Sequence, residues 1–215
     1  MDKKRKLEII TIALAFVFSI TAVTIAFAAY NSSLTIKGSA TAKASKWKVI
    51  FKDLSSATIG NDNGVTPTAR EVTHPSIVGE VSIETYNVEI KTPGDYLTYN
   101  FKIKNDGDFP AQISTFSMPT PTCQNGANGS SSDASNVCSN LSYTLKYVNN
   151  DPSTVDSSIA VSAGDVVATG DKYTPGLERE VQLKIYYSKN VTTSQLPVDD
   201  VAIGNLNVTI PFVQY

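Results

Sequence analysis

Apolar side chains recur at every second position through much of this chain. In SKWKVIFKDL, residues 45–54, Trp47, Val49 and Phe51 fall on one side while Lys46, Lys48 and Lys52 fall on the other. That period of two marks a strand with one dry and one wet face. Leu97, Tyr99, Phe101 and Ile103 alternate in the same way with Thr98, Asn100, Lys102 and Lys104. Val181, Leu183, Ile185 and Tyr187 share a face of EREVQLKIYYS, and Leu206, Val208, Ile210 and Phe212 share one in the last run. LSYTLKYV (141–148) adds a further strand, and SIVGEVSIETYNVEIKTPGDY reads as two strands ending at the Pro93-Gly94 turn. Asp106-Gly107 signals a hairpin or bulge before a strand that starts near Ala111. Residues 149–177 are loop-rich with a short strand or two, and Thr193 to Leu196 suits one helical turn. About eight to ten strands with turn chemistry between them predict an all-β fold. The economical architecture is a single antiparallel β-sandwich, Ig-like or jelly-roll, over residues 45–215, with Leu97, Phe101, Val181, Leu183, Val208 and Ile210 in its core.

The N-terminus breaks this pattern. Lys3, Lys4, Arg5 and Lys6 precede 21 uncharged residues, Ile9 to Ala29. A helix of that length rises about 30 Å, enough to cross a bilayer core. The predicted N-terminal hydrophobic helix therefore directs the domain out of the cytoplasm, its basic end staying inside. Two readings stand side by side. Ala26 and Ala28 put small residues at −3 and −1 of a signal-peptidase site, so that the mature chain starts at Ala29. Alternatively the segment is not cut and remains a single-pass anchor. Residues 1–28 are thus a signal peptide or membrane anchor, and 29–44 a separate N-terminal segment. Either way the expected address is extracellular or cell-surface.

Charge and composition narrow the classes. The first 28 residues hold four of the 18 basic and two of the 20 acidic residues, leaving 14 against 18, a net charge of −4. No clustered basic footprint for nucleic acid is present. Cys123 and Cys138 bracket QNGANGSSSDASNV, a stretch unsuited to regular structure. In an exported chain their expected state is a disulfide stapling the loop 119–140. Two thiolates so spaced with no nearby histidine do not make a zinc set.

Catalytic patterns are sparse. His74 is the one histidine, it lies in EVTHPS, and no HExxH occurs. The expectation is therefore a non-enzymatic protein with no cofactor. Asp199-Asp200 and the Asp106/Asp108 pair sit in turn-rich stretches, where aspartate is a good turn former. Asn61-Asp62-Asn63-Gly64 and Asn105-Asp106-Gly107-Asp108 cluster oxygen ligands that suit a structural calcium ion; plain turns are the other reading, since neither closes an EF-hand loop. Asn-X-Ser/Thr sequons occur at Asn31, Asn128, Asn140, Asn190 and Asn207.

A family pattern emerges from particular stretches. The basic n-region and hydrophobic segment lead into AAYNSSLTIKGSATAKASKWKVIFKDL; TPGDYLTYNFKIKNDGDFPAQIS follows, and later SAGDVVATG and EREVQLKIYYS. Pro93-Gly94-Asp95, a strand, and then Asn105-Asp106-Gly107 form the most specific piece. The chain resembles the camelysin/TasA-like family of Gram-positive envelope and biofilm-matrix proteins. The resemblance implies a jelly-roll domain, export and, in some members, fibres built by donor-strand complementation. The metallopeptidase label of some relatives is not carried over, because this chain has one histidine and no HExxH. If the chain is cut at Ala28-Ala29, residues 29–38 become a free segment. Leu34 and Ile36 can then enter a neighbour's groove while Thr35 and Lys37 face water, the requirement for adding a strand to an open edge. The same segment pairing within its own domain is the other reading. The expected partner is a second copy of this chain, in a homopolymer, with membrane contact through the N-terminal segment before or without cleavage. A membrane-anchored adhesin or ligand-binding module is the alternative function.

Overall fold

The two longest alternating runs form the spine of the largest sheet. The computed structural model describes residues 45–84, 86–151 and 160–215. Strand β7 (Asp95–Asn105) pairs antiparallel with β12 (Glu178–Tyr187), setting Phe101 opposite Val181, Tyr99 opposite Leu183 and Leu97 opposite Ile185. Strand β10 (Leu141–Tyr147) lies on the far side of β12. Two short strands share the other edge of β7: β1 (Val49–Lys52) covers residues 102–105 and β2 (Thr58–Asn61) covers 95–98. Where the chain bulges between them, the Ser55 N–H donates to the Asn100 carbonyl at 2.8 Å and the Ser55 hydroxyl accepts the Asn100 N–H at 2.9 Å. The edge of β7 is therefore satisfied along its length.

Alternation decides which face is dry. Leu97, Tyr99, Phe101, Ile103, Val181, Leu183 and Ile185 are fully buried, while Lys102, Lys104, Glu180, Gln182 and Lys184 lie on the other face and stay partly exposed. The expected core members Val208 and Ile210 are buried too. Trp47 departs from expectation: it precedes the first paired residue, Val49, and is 43% exposed, so no sheet neighbour covers it.

Four smaller sheets supply the rest of the core. Strands β4 (Ser76–Val78) and β5 (Ser82–Glu84) join β14 (Val208–Thr209); β8 (Ala111–Ile113) lies between β11 (Lys172–Tyr173) and β15 (Phe212–Gln214). Strand β3 (Arg70–Thr73) pairs with β6 (Asn87–Glu89), and β9 (Thr122–Asn125) with β13 (Val201–Gly204). Ile83, Val88, Ala111, Ile113, Tyr173 and Val208 from these strands join the same buried cluster as the large sheet. The described residues are thus all-β and antiparallel, with one short α-helix, and Ser45–Tyr215 forms a single compact unit.

Three local expectations are corrected. Asp106-Gly107 does not join β7 to β8 in a hairpin, since β8 pairs with β11 and β15 instead. The motif is a corner between sheets. Buried Asn105 donates to the carbonyls of Phe109 and Tyr173 at 2.8 Å each, and its own side-chain oxygen accepts the Gly107 N–H at 3.1 Å. A Cβ on Gly107 would come within 2.7 Å of the Lys46 and Lys48 backbone, so only glycine lets the corner fold against the segment that leads into β1. The last run is not one strand: Pro211 has no N–H for the ladder, and the chain passes there from β14, on β5, to β15, on β8. SIVGEVSIETYNVEI holds three strands, β4, β5 and β6, rather than two.

The cysteine loop is more ordered than its composition predicts. The Cys123–Cys138 disulfide forms, with Cα atoms 5.9 Å apart. Cys123 lies in β9, however, and Cys138 in helix α1 (Asp133–Ser139). A seven-residue helix has little stability of its own. Here the bridge and side-chain bonds to its first turn hold it, among them the Asn125 side-chain oxygen accepting the Ala134 N–H at 2.6 Å. The expected helical turn near Thr193 is a 3-10 turn, Thr193–Gln195.

Candidate functional site

The described residues enclose a cleft of about 1000 Å³ beside β6, β13 and helix α1. One wall is the run Asn87–Lys91 and another is Leu196–Ile203; Gln124, Asn125, Gly126 and Val137 add the disulfide-bound flank. Consecutive residues reach the cleft along both runs. β6 pairs only with β3 and β13 only with β9 among the described residues, so each has one edge without a strand partner. Unpaired edges carry rows of N–H and C=O groups that a further strand can satisfy.

The lining of the cleft is mixed, with Val88, Ile90, Val137 and Ile203 as its apolar part. Tyr187 from the end of β12 also reaches it. Its side chain is 2% exposed and its hydroxyl is buried without a hydrogen-bond partner. Burial raises the pKa of this phenol, so it stays a neutral donor. A buried hydroxyl with nothing to bond to costs stability unless something arrives to accept from it.

The rim is acidic. The Asp199 carboxylate accepts the Asn128 N–H at 2.9 Å and the Asp200 N–H at 2.9 Å, and these bonds hold its pKa below the usual carboxylate range. Asp200 is exposed and lies 3.8 Å from Lys91 across the cleft mouth. Glu89 is tied to Arg70 by two bonds of 2.6 and 2.7 Å, which lower its pKa. Just behind the rim, buried Asp133 accepts the N–H groups of Ser130 and Val198 at 3.0 and 2.9 Å. Burial pushes the pKa of Asp133 up, and these bonds outweigh it and leave the group lowered. One carboxylate thereby fastens α1 to the 196–200 wall. Gly126 seals the same wall, because a Cβ there would meet the Asp200 carbonyl at 2.5 Å.

The predicted residues fare differently. Ala26, Ala28, Ala29, Leu34 and Ile36 lie outside the described residues, as does the predicted N-terminal helix. Among the described residues no helix is long and apolar enough to cross a membrane. In the two oxygen-rich turns suggested for calcium, internal donors occupy the ligands. The Asn61 side-chain oxygen accepts the Asn63 N–H at 2.8 Å, Asp106 pairs with Lys46 and Lys104 at 3.0 and 2.9 Å, and Asp108 accepts the Lys46 N–H at 2.7 Å. Among the described residues no three His, Cys, Asp or Glu side chains assemble as a metal set. His74 is exposed and bonds Glu71 at 2.8 Å. Asp199-Asp200, read as a turn, proves to be the cleft rim. Tyr187 was legible only as the end of an apolar stripe; nothing in its spacing separates it from an ordinary core tyrosine.

Compared with family models, with curated proteins and with solved structures, the chain matches none.

Proposed function

We propose that this chain is an exported, non-enzymatic structural protein of the cell surface or extracellular matrix, related to the camelysin/TasA-like proteins. Its body is a single β-sandwich, the five-stranded sheet forming one layer and the smaller sheets the other. Copies associate when the N-terminal segment of one adds as a strand to an open edge of the next. Such head-to-tail addition does not close on itself and yields a filament. The observation that carries this reading is that β6 and β13 each have one edge without a strand partner among the described residues, an opening to which a further strand can add. Leu34 and Ile36, alternating with Thr35 and Lys37, provide a segment of matching period.

The test is electron microscopy of the purified chain beginning at Ala29, beside the same chain lacking residues 29–38. Filaments in the first and folded monomers in the second are expected. Persistent monomers of the longer chain at high concentration defeat the assembly reading. N-terminal sequencing of exported material decides the address: a start at Ala29 fits release, while an intact Met1 favours an anchored adhesin. Casein cleavage by the purified chain would reopen an enzymatic reading.

A further inference from the structure

Charge is unevenly spread over this domain. Residues 1–44 hold six of the 18 basic and two of the 20 acidic residues, so 45–215 carry 12 against 18 and are acidic as a whole. Alternation nevertheless puts five of those 12 on the outer face of the five-stranded sheet: Lys52, Lys102, Lys104, Lys146 and Lys184. Glu178 and Glu180 are the acids at outer positions of the same strands. One end of the face is neutralised. Glu178 meets Lys52 and Lys102 at 2.6 and 3.0 Å, Asp53 meets the same two lysines, and Asp106 meets Lys104 at 2.9 Å. Lys146 and Lys184, on β10 and β12, have no carboxylate at ion-pair distance among the described residues.

Aromatic rings surround one of these two cations. Tyr96 and Tyr186 are paired across β7 and β12, and the Lys184 ammonium lies 4.4 and 4.9 Å from their ring centroids. Gly60 of β2 stands opposite Tyr96, and a Cβ there would collide with the tyrosine ring, so glycine lets that ring lie over the neighbouring strand. Next along the sheet comes a row of polar groups. Gln182 donates to the Asn100 side-chain oxygen at 3.1 Å, and the Glu180 carboxylate accepts from Asn100 and Asn149 at 3.1 and 3.0 Å. None of these residues lines the β6–β13 cleft.

We propose that this face binds an acidic polysaccharide, a chain of sugar rings with carboxylates at intervals. The tyrosine rings suit the C–H faces of sugars, and the amide row suits hydroxyls, which donate and accept. Lys184 and Lys146 take the acid groups in charge-assisted hydrogen bonds. An ammonium over an exposed ring is weakly held, so Lys184 leaves Tyr96 for an incoming carboxylate and bares the ring to the sugar. A polymer charged at every unit, such as nucleic acid, would have to pass over Glu180, which repels it. Binding here does not require that copies assemble.

The experiment titrates the full chain, in non-ionic detergent at low salt, with hyaluronan and alginate, and in parallel with neutral dextran, polyglutamate and double-stranded DNA. Binding of at least one acidic polysaccharide, and weaker binding of the other three polymers, are expected. The Lys146→Gln/Lys184→Gln double variant should bind it about tenfold more weakly, as for one lost charge-assisted hydrogen bond, with an unchanged melting temperature. Lys189→Gln, which removes the same kind of charge off this face, should leave binding unchanged. Gly60→Ala, which displaces the Tyr96 ring and alters no charge, should weaken it several-fold; if that variant melts early, Tyr186→Leu takes its place. Binding of neither acidic polysaccharide overturns the proposal. So does binding that survives the double lysine variant, which would place it on other cations such as the N-terminal ones. Equal binding of polyglutamate or DNA, or indifference to both ring variants, would show a general anion surface and remove the polysaccharide.

Discussion

Single buried polar groups carry much of this fold's specificity. Arg179, on the inner side of β12 and 4% exposed, bonds Asp151 at 2.8 Å and the Lys172 carbonyl at 2.8 Å, with the rings of Tyr173 and Tyr147 at 4.8 and 5.7 Å. Desolvation opposes its charge, and the bond to Asp151 and the nearby tyrosines outweigh that effect and raise its pKa. Only a planar guanidinium meets two acceptors while stacking on aromatic rings. Arg179→Lys should therefore destabilise the domain, and Arg179→Ala by about 3 kcal/mol, as for a broken buried pair; urea denaturation measures both. Asp106 serves the corner between sheets. Its hydrogen bonds to Lys104 and Lys46 lower its pKa to about 2. A carboxylate depressed in the folded state contributes stability that is complete above its unfolded value near 4 and is lost as pH falls toward the folded one. Melting temperature should thus fall between about pH 4 and pH 2, and less steeply in Asp106→Asn. The residues of this corner were legible as a turn in Asn105-Asp106-Gly107. Its direction was not, because that depends on Asn105 reaching the Tyr173 carbonyl 68 residues away.

At the scale of elements, alternation identified the long strands well and the short ones poorly. β7 and β12 appear in the sequence as unbroken period-two runs because each has one face in the core throughout. β9 and α1 were hidden, since QNGANGSSSDASNV has no apolar stripe from which to read them. Their order comes from outside the segment, through the disulfide, the Asp133 carboxylate and the partner strand β13. Reducing the bridge should cost about 3 kcal/mol, the chain-entropy value for a loop of about 15 residues. The loss should be concentrated locally. Hydrogen exchange after reduction is expected to speed up at Thr122–Asn125 and Asp133–Ser139 first, with β7 and β12 still protected. Uniform acceleration would mean that the staple supports the whole domain rather than the cleft wall.

At the scale of the molecule, the described residues gather one core and form a cleft of mixed lining with an acidic mouth. If the cleft receives a cationic strand, association should weaken as salt rises, because exposed charges at the mouth are screened beyond about 10 Å at 0.1 M ionic strength. Sedimentation of the chain beginning at Ala29 over a salt series checks this. Association should also persist at pH 5 and weaken below the usual carboxylate range. The lowered pKa of Asp199 keeps that side of the rim charged past the point where free carboxylates protonate.

By itself the sequence determined the β class, the two long alternating strands, most of the core and the cysteine pairing. Each depends on a local period or on a short separation along the chain, which side-chain alternation and loop closure impose wherever the chain goes. Only the tertiary structure decided which strands neighbour one another, that Pro211 sits where the chain passes between sheets, and that Tyr187, Glu89 and Asp199–Asp200 meet around one cleft. Those are decisions among residues from tens to more than a hundred positions apart, taken by the packing of buried faces and the satisfaction of buried polar groups, and no short window along the chain contains them.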